Sequence, residues 1–435
     1  MVNTISTPPS LARELGLFAV TLMGIGIILG AGIYALLGEA TAIAGEGVWL
    51  SFILAALVTV FTGLSYAELS SMFPKAGAEF EFVKNAFSNR FGFLCGWLIV
   101  IAGVVSVPAV AIGFGRYFNA ITGLPVFWSA LGLIVLCALI LFLGVKQSVW
   151  IGGFFTVVEA LGLIIIVVIS VPFLGNFHPM QAFDWPGIFS AAALVFFAFI
   201  GFEEIVQMSE ETRDAEKTIP RALLIAIAIS TLLYVLVAVS SVSVLGANAL
   251  GQSKAPLADV ATKAFGPQAF AVLSIIALFS TSNTVLLIML AMSRMVYGMS
   301  KGRAFPDFLS KVHEKTKTPV IAISAVTLAS AAFLLINDLR FVAEATDFLL
   351  FVVFIMVNLA VIKLRFDRPE AKRPFKSPSL GKWPILPVFG ILTIAFLLFH
   401  VRLEVALLGM AFVIAGEIYY RLTVRGKKIE LKAVS

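Results

Sequence analysis

Apolar runs of roughly 18 to 25 residues recur along almost the whole chain, and each is long enough to cross a hydrocarbon core of about 30 Å as a helix. Inside lipid no water is available to backbone N–H and C=O groups, so a spanning segment must satisfy them itself, as an α-helix does. The residues leave little alternative. Of 435 residues, 60% are hydrophobic and only 13% are charged, too little polar surface to cover a soluble globule of this length. An ordinary soluble enzyme is excluded, and the expected fold class is an all-α polytopic membrane protein.

Spans are predicted at 15–37, 48–72, 91–115, 126–145, 150–174 and 188–209, and again at 221–246, 268–297, 319–336, 344–362, 384–400 and 403–421. About twelve transmembrane helices place both termini on one side of the membrane. The first run begins near Gly16, lacks a small-residue cleavage site and opens a series of further spans, so it is expected to be retained rather than removed as a signal peptide. Basic residues test the map. Of the 31 lysines and arginines, only Arg116, Lys254, Lys263, Arg340 and Arg402 fall in the loops of one side. By the positive-inside rule the other side, with both termini, is the cytoplasmic face of a plasma (cytoplasmic) membrane.

The same distribution explains the net charge of +6 without nucleic acid, because the cations sit in loops between apolar spans. Cys95 and Cys137 lie inside apolar runs and read as packing residues, not as a disulfide framework. His178, His313 and His400 are scattered; no metal-ligand spacing is visible, and no metal or cofactor is expected. In the long outer connection at 247–267, the run SKAPLADVATKAFGP predicts a short helix lying on the outer surface. The basic, proline-rich stretch from Arg365 to Pro384 predicts an irregular cytoplasmic loop.

Two spans carry signs of interruption. The first crowds Gly24, Gly26, Gly30 and Gly32 near its centre. One reading is close helix packing, since Gly26 and Gly30 satisfy a G-x-x-x-G spacing. The other is a helix broken at mid-membrane, whose freed amides and positive dipole end hold a carboxylate. The sixth span has Gly201 at its middle, followed by Phe202, Glu203 and Glu204. Paired carboxylates in an apolar segment call for unwinding or a polar cavity, unless they hydrate at the cytoplasmic mouth. Breaks five spans apart are what an inverted repeat of two five-helix units produces, with substrate between them. No residue-by-residue repeat is apparent.

At these residues the chain resembles the amino acid-polyamine-organocation (APC) family of permeases. The likeness rests on GAGI at Gly30–Ile33, YAELSSMFPKAGAEF at Tyr66–Phe80, FFAFIGFEE at Phe196–Glu204, EETRDAEKTIPRA at Glu210–Ala222 and KTPVIA at Lys317–Ala322, in that order and spacing. Ala78 stands where the family pattern has the second glycine of a pair. The resemblance implies a LeuT-like five-plus-five inverted repeat with broken helices 1 and 6: a first repeat at 15–174, a second at 188–362, two extra helices at 384–421, and cytoplasmic ends at 1–14 and 422–435. It also implies that the amides of Gly30, Ala31 and Gly32 bind a substrate carboxylate. The carbonyls of Phe197, Ala198 and Ile200 receive its ammonium, and Phe202, or else Phe199, gates the site.

Several members of that family carry a lysine in the fifth span, and this chain departs there. The alignable position is Ala160, with Glu159 beside it, and no lysine is present. A carboxylic acid at that depth is a candidate proton carrier or a structural hydrogen-bond partner. In the eighth span Ser280, Thr281, Ser282, Asn283 and Thr284 offer oxygen ligands for sodium, or bond back to their own helix. Proton symport, sodium coupling and exchange all stay open. The implied activity is secondary transport of an amino acid or related amine across the lipid bilayer. No acidic residue is identified for a cationic side chain, apart from Glu203 should its helix turn inward, so a neutral or apolar amino acid is expected. A major-facilitator transporter fits less well, because the link between spans six and seven is short. A channel or receptor lacks its polar stripe or extramembrane domain, and no catalytic constellation lies at membrane depth.

Overall fold

The computed structural model describes residues 15–73, 78–143, 148–177, 184–208, 212–314, 316, 318–380 and 383–426. The expected terminal segment 1–14, most of 422–435, and parts of the second, fourth and fifth family-like motifs lie outside the described residues. The chain is a succession of helices: α1 (Leu17–Leu29), α2 (Gly32–Ala44), α3 (Val48–Met72), α4 (Ala78–Ala86), α5 (Asn89–Thr122), α6 (Val126–Leu143), α7 (Ser148–Ser170), α8 (Trp185–Val195) and α9 (Glu204–Gln207). After these come α10 (Ala215–Leu245), α11 (Ala247–Gln252), α12 (Pro256–Phe265), α13 (Gln268–Lys301), α14 (Val320–Leu334), α15 (Leu339–Asp367), α16 (Ile385–Leu398) and α17 (Leu403–Tyr419). The described residues hold no β-strand, only isolated bridges at Leu15–Thr212 and Leu380–Trp383.

Nine helical stretches among the described residues are long and apolar enough to cross a membrane, and α1, α14 and α16 are shorter apolar helices. The protein is therefore a polytopic helical membrane protein. Its polarity is arranged for lipid. Leu136, Leu139 and Leu143 on α6, and Leu403, Leu407 and Ile414 on α17, present large apolar side chains outward, where hydrocarbon is the solvent. The interior is built on α5, which packs along both α13 and α15, and on α3, which packs along α10.

Hydrophobic contrast drives little association between helices in lipid, so buried polar contacts fix the interior seams. Between α3 and α15, Asn358 donates to Thr62 Oγ1 at 3.2 Å and accepts from Ser65 Oγ at 2.6 Å. At the basic end of the same seam Glu68 is 1% exposed. It accepts from Arg365 Nε at 2.8 Å and from the Ser377 amide and hydroxyl at 2.9 and 2.8 Å, with Arg373 Nε 3.5 Å away. The Arg365–Pro384 stretch is irregular after α15 ends. It is also docked, because Ser377 and the Phe375 amide, which donates to Ser71 Oγ at 3.2 Å, tie it to α3. At the opposite end Glu344 holds Arg340 and Arg402 at 2.6 and 2.7 Å, and Glu39 holds Arg116 at 2.7 Å.

The outer connection differs from expectation. It forms two helices, α11 and α12, and α12 does not lie on the surface. Leu257, Ala258, Val260 and Ala261 are fully buried, because their apolar face packs against α13 and α10. An amphipathic stripe predicts that one face will be covered, and here protein covers it instead of lipid headgroups.

Glu68→Gln strips the countercharge from two buried arginines and is expected to lower stability by roughly 3–5 kcal/mol. Lys363→Gln, which breaks a surface pair with Asp367, should change it by about 0–1 kcal/mol. Thermal unfolding in detergent compares the two.

Candidate functional site

Both suspected interruptions are present. Helix α1 stops at Leu29, Gly30 leaves helical geometry with ψ −165°, and α2 starts at Gly32. The first amides of α2 thus lack intrahelical acceptors. Ala31 N–H donates to Thr284 Oγ1 on α13 at 3.2 Å, and the Thr284 hydroxyl donates to the Ser280 carbonyl at 3.0 Å. The second break follows α8. One 3₁₀ turn covers Phe196–Phe199, Ile200 is extended with ψ 138°, and Gly201 has φ 111°. That φ is costly for any residue but glycine, and a Cβ there would also lie 2.6 Å from Ile27 Cγ2 on α1. The Gly201 amide is met by the Glu203 carboxylate at 2.9 Å, so Glu203 folds back onto the break instead of extending into solvent.

The two breaks touch. A Cβ on Gly32 would stand 2.5 Å from Ala198 Cα, so only a residue without a side chain lets the two backbones come this close. From α10, the Tyr234 hydroxyl reaches the Ile28 carbonyl at 2.5 Å and the Ala198 carbonyl at 2.8 Å. A phenol has one proton, so two carbonyls from different broken helices share it. Phe199 packs edge-on against Tyr234, with ring centroids 5.2 Å apart. Phe202 lies between Tyr66 and Phe354 at 5.5 and 5.4 Å, in an aromatic stack that fills the bundle on the Glu68 side of the break. Phe199 and Phe202 are fully buried and Phe197 nearly so.

Residues that sequence treats as two separate proposals are joined here. Glu159 on α7 is 1% exposed, and its carboxylate accepts a hydrogen bond from the Ser280 hydroxyl. Its carbonyl accepts from Tyr34 O–H at 2.8 Å, and the Tyr34 carbonyl accepts from Tyr117 O–H at 3.1 Å. Ala160 is only partly buried, so Glu159 is the inward-facing position of this turn. Of the polar run on α13, Thr284 reaches the first break and Ser280 reaches Glu159, on one side of the helix because residues four apart share a face. Thr281 bonds back to the Ala277 carbonyl at 2.7 Å, and Ser282 and Asn283 make no side-chain hydrogen bond to the breaks or to Glu159. No cluster of three or more His, Cys, Asp or Glu able to hold a metal occurs among the described residues.

Three residues at this crossing were not singled out from sequence: Tyr34, Tyr117 and Tyr234. The tyrosines carried a signal. The chain has 39 phenylalanines and seven tyrosines, and a hydroxyl at membrane depth needs an acceptor.

An all-helical membrane protein with two interrupted helices meeting backbone to backbone has the architecture of a solute transporter. The chain belongs to the amino acid permease family, whose model matches residues 15–416; it is a transport protein, not an enzyme. It is 29% identical to the branched-chain amino acid permease BcaP of Bacillus subtilis, an alignment covering 97% of this chain and 95% of that protein. It is 29% identical to the methylthioribose transporter of the same organism over 88% of this chain and 87% of the other. With cationic amino acid transporter 4 of Homo sapiens the identity is 26% over 86% of this chain and 63% of the relative.

Gly32→Ala places a methyl group against the Ala198 backbone and is expected to destabilise the protein by about 1–3 kcal/mol. Gly132→Ala, in the middle of α6 where nothing lies within 4 Å of the added carbon, should instead raise stability by about 0.4–1 kcal/mol. Both follow from thermal unfolding of the purified variants.

Proposed function

We propose that this chain is a secondary transporter of amino acids or related amines, with the substrate between the two interruptions. The observation that carries this reading is the direct contact of the breaks, which brings the amides at the start of α2 and the carbonyls of the second break together, although Gly30 N–H still bonds the Gly26 carbonyl and the Phe197 carbonyl still accepts from Ile200 N–H. The substrate carboxylate binds the amides of Gly30, Ala31 and Gly32 at the positive end of α2. Its ammonium takes the carbonyls of Phe197, Ala198 and Ile200. Two of these groups are held by side-chain hydroxyls, Ala31 N–H by Thr284 and Ala198 C=O by Tyr234. The hydroxyls keep the breaks satisfied until substrate replaces them, which limits the desolvation penalty of an empty site. Phe202, or Phe199, closes the site toward the basic side.

Alternating access follows if the broken pair rocks against the remaining helices. In this reading the chain makes twelve crossings as a five-plus-five inverted repeat, with both termini cytoplasmic in a plasma membrane. Protons drive transport through Glu159. Its carboxylate accepts from the Ser280 hydroxyl, and one turn on along α13 Thr284 holds the Ala31 amide, so the acid and the carboxylate-binding amides are braced by the same face of one helix. Relatives named for branched-chain and for cationic amino acids support the amino acid backbone as the shared recognition element.

Uptake of a labelled amino acid panel into proteoliposomes, under an inward proton gradient, a sodium gradient or none, tests the proposal. Proton-driven accumulation abolished in Glu159→Gln is the expected result, with counterflow in preloaded vesicles retained. Sodium-driven accumulation, or proton-driven uptake unaffected by the substitution, overturns the role given to Glu159. Failure of every amino acid and amine to accumulate, exchange or bind overturns the substrate class.

A further inference from the structure

Tyr34 lies in the first turn of α2, two residues beyond Gly32, and its side chain is fully buried. Its hydroxyl donates to the Glu159 carbonyl of α7 at 2.8 Å, and its own carbonyl accepts from the Tyr117 hydroxyl of α5 at 3.1 Å. A carbonyl oxygen has two lone pairs, so Glu159 can accept this bond without giving up its place in the hydrogen-bond ladder of α7. Room for the hydroxyl comes from Gly162, three residues further along α7. A Cβ there would stand 2.6 Å from Tyr34 Oη and 2.6 Å from Ile276 Cγ2 of α13. Glycine inside a helix weakens it relative to alanine, and here it lets α2, α7 and α13 meet at one point.

These contacts close a ring. Ala31 N–H, at the start of α2, donates to Thr284 Oγ1 on α13 at 3.2 Å. One turn back on α13, the Ser280 hydroxyl donates to the Glu159 carboxylate on α7, and the Glu159 carbonyl returns to α2 through Tyr34. Ala31 and Tyr34 are three residues apart and so belong to a single helical turn, the turn whose amides hold the substrate carboxylate in the reading above. The three bonds are not equivalent. In that reading substrate takes the Ala31 amide from Thr284, which opens the ring on one side. The Ser280 bond ends on the carboxyl that gains and loses the proton, a group that is a donor as well as an acceptor once protonated. The Tyr34 bond ends on a backbone carbonyl, whose acceptor role depends on neither event, so it is the contact that persists through both.

We propose that Tyr34 is a positioning residue for coupling: it fixes the first turn of α2 against Glu159, so that the substrate-binding turn and the proton-carrying residue move as one unit. This rests on the transport reading, including the role given there to Glu159, and deepens it by naming the contact that ties substrate to proton. Loss of the hydroxyl leaves binding and exchange in place and lets the two fluxes run separately. A hydroxyl that only helped to hold the bundle together would, on removal, lower stability without altering the ratio of proton to substrate flux.

Tyr34→Phe keeps the aromatic ring in its place and removes the bond alone. Gly162→Ala, which occupies the space of the hydroxyl from the α7 side, is a second route to the same loss. Ser330→Ala is the control, because Ser330 makes the same kind of buried contact away from the ring, from its hydroxyl to the Val104 carbonyl of α5 at 3.0 Å. The full chain and these variants, with Glu159→Gln, are reconstituted in vesicles, and an equimolar labelled mixture of the common amino acids is the probe. Counterflow, proton-driven accumulation and proton influx reported by an internal pH dye are read on each preparation. Tyr34→Phe should retain counterflow within about twofold while accumulation and proton influx per amino acid fall about fivefold or more, the factor one hydrogen bond supports. Gly162→Ala should reproduce that split, and Ser330→Ala should keep the wild-type ratio. A wild-type ratio in Tyr34→Phe, where Glu159→Gln is uncoupled in the same assay, overturns the assignment alone. So does a parallel fall of counterflow and accumulation, or an equal loss of coupling in Ser330→Ala. Full coupling in Glu159→Gln, or no flux in the wild type, overturns the reading on which the assignment rests, and the assignment with it.

Discussion

A backbone that leaves helical geometry in the middle of a membrane has to find partners for the groups it frees, and everything at the centre of this protein is arranged around that requirement. The contact of Gly32 with Ala198 brings the two irregular segments together, so that one set of surrounding helices can serve both. Tyr234 from α10 reaches carbonyls of both breaks, Thr284 from α13 takes the Ala31 amide, and Glu203 covers the Gly201 amide. Without them, several backbone groups would be buried unpaired, each at a cost of about 1–3 kcal/mol.

The same requirement sets the character of the bundle around the breaks. Helices in lipid gain little from apolar burial against each other, so the interior seams are pinned by directional contacts: Asn358 with Thr62 and Ser65, Glu68 with Arg365, and Glu159 with Ser280. The first two lie along α3 and α15 and give that pair a fixed register. The third ties α7 to α13, and Tyr34 adds α2 to the same network. A framework held by α3, α15 and α5 thus surrounds two short, irregular elements secured by a few hydroxyls. Hydroxyl contacts to backbone are individually modest in strength, in keeping with the proposal that they yield to a substrate.

Chemically, the centre presents opposite polarity on its two walls. The start of α2 offers N–H groups and the positive end of a helix dipole. The 3₁₀ turn at Phe196–Phe199 and extended Ile200 offer carbonyl oxygen. In the proposed function a zwitterion matches that pair of walls.

Periodicity and composition alone determine that the chain crosses a membrane repeatedly, because no other solvent accommodates this much apolar surface. The positions of the breaks were also legible, since glycine density at Gly30–Gly32 and Gly201 weakens a helix wherever it is placed. So was the depth of Glu159, by its isolation in an apolar run. Which way a side chain faces was not. Glu159 and Ser280 are 121 residues apart, and only the packing of α7 on α13 makes them a pair. The docking of the 365–384 loop on Glu68 and the burial of α12 depend in the same way on neighbours remote in sequence. Asp347 is one more charged residue near a helix end when read along the chain. It comes to lie against the backbone of a broken helix only because α15 turns that face inward, and a contact of that kind is a property of three-dimensional packing.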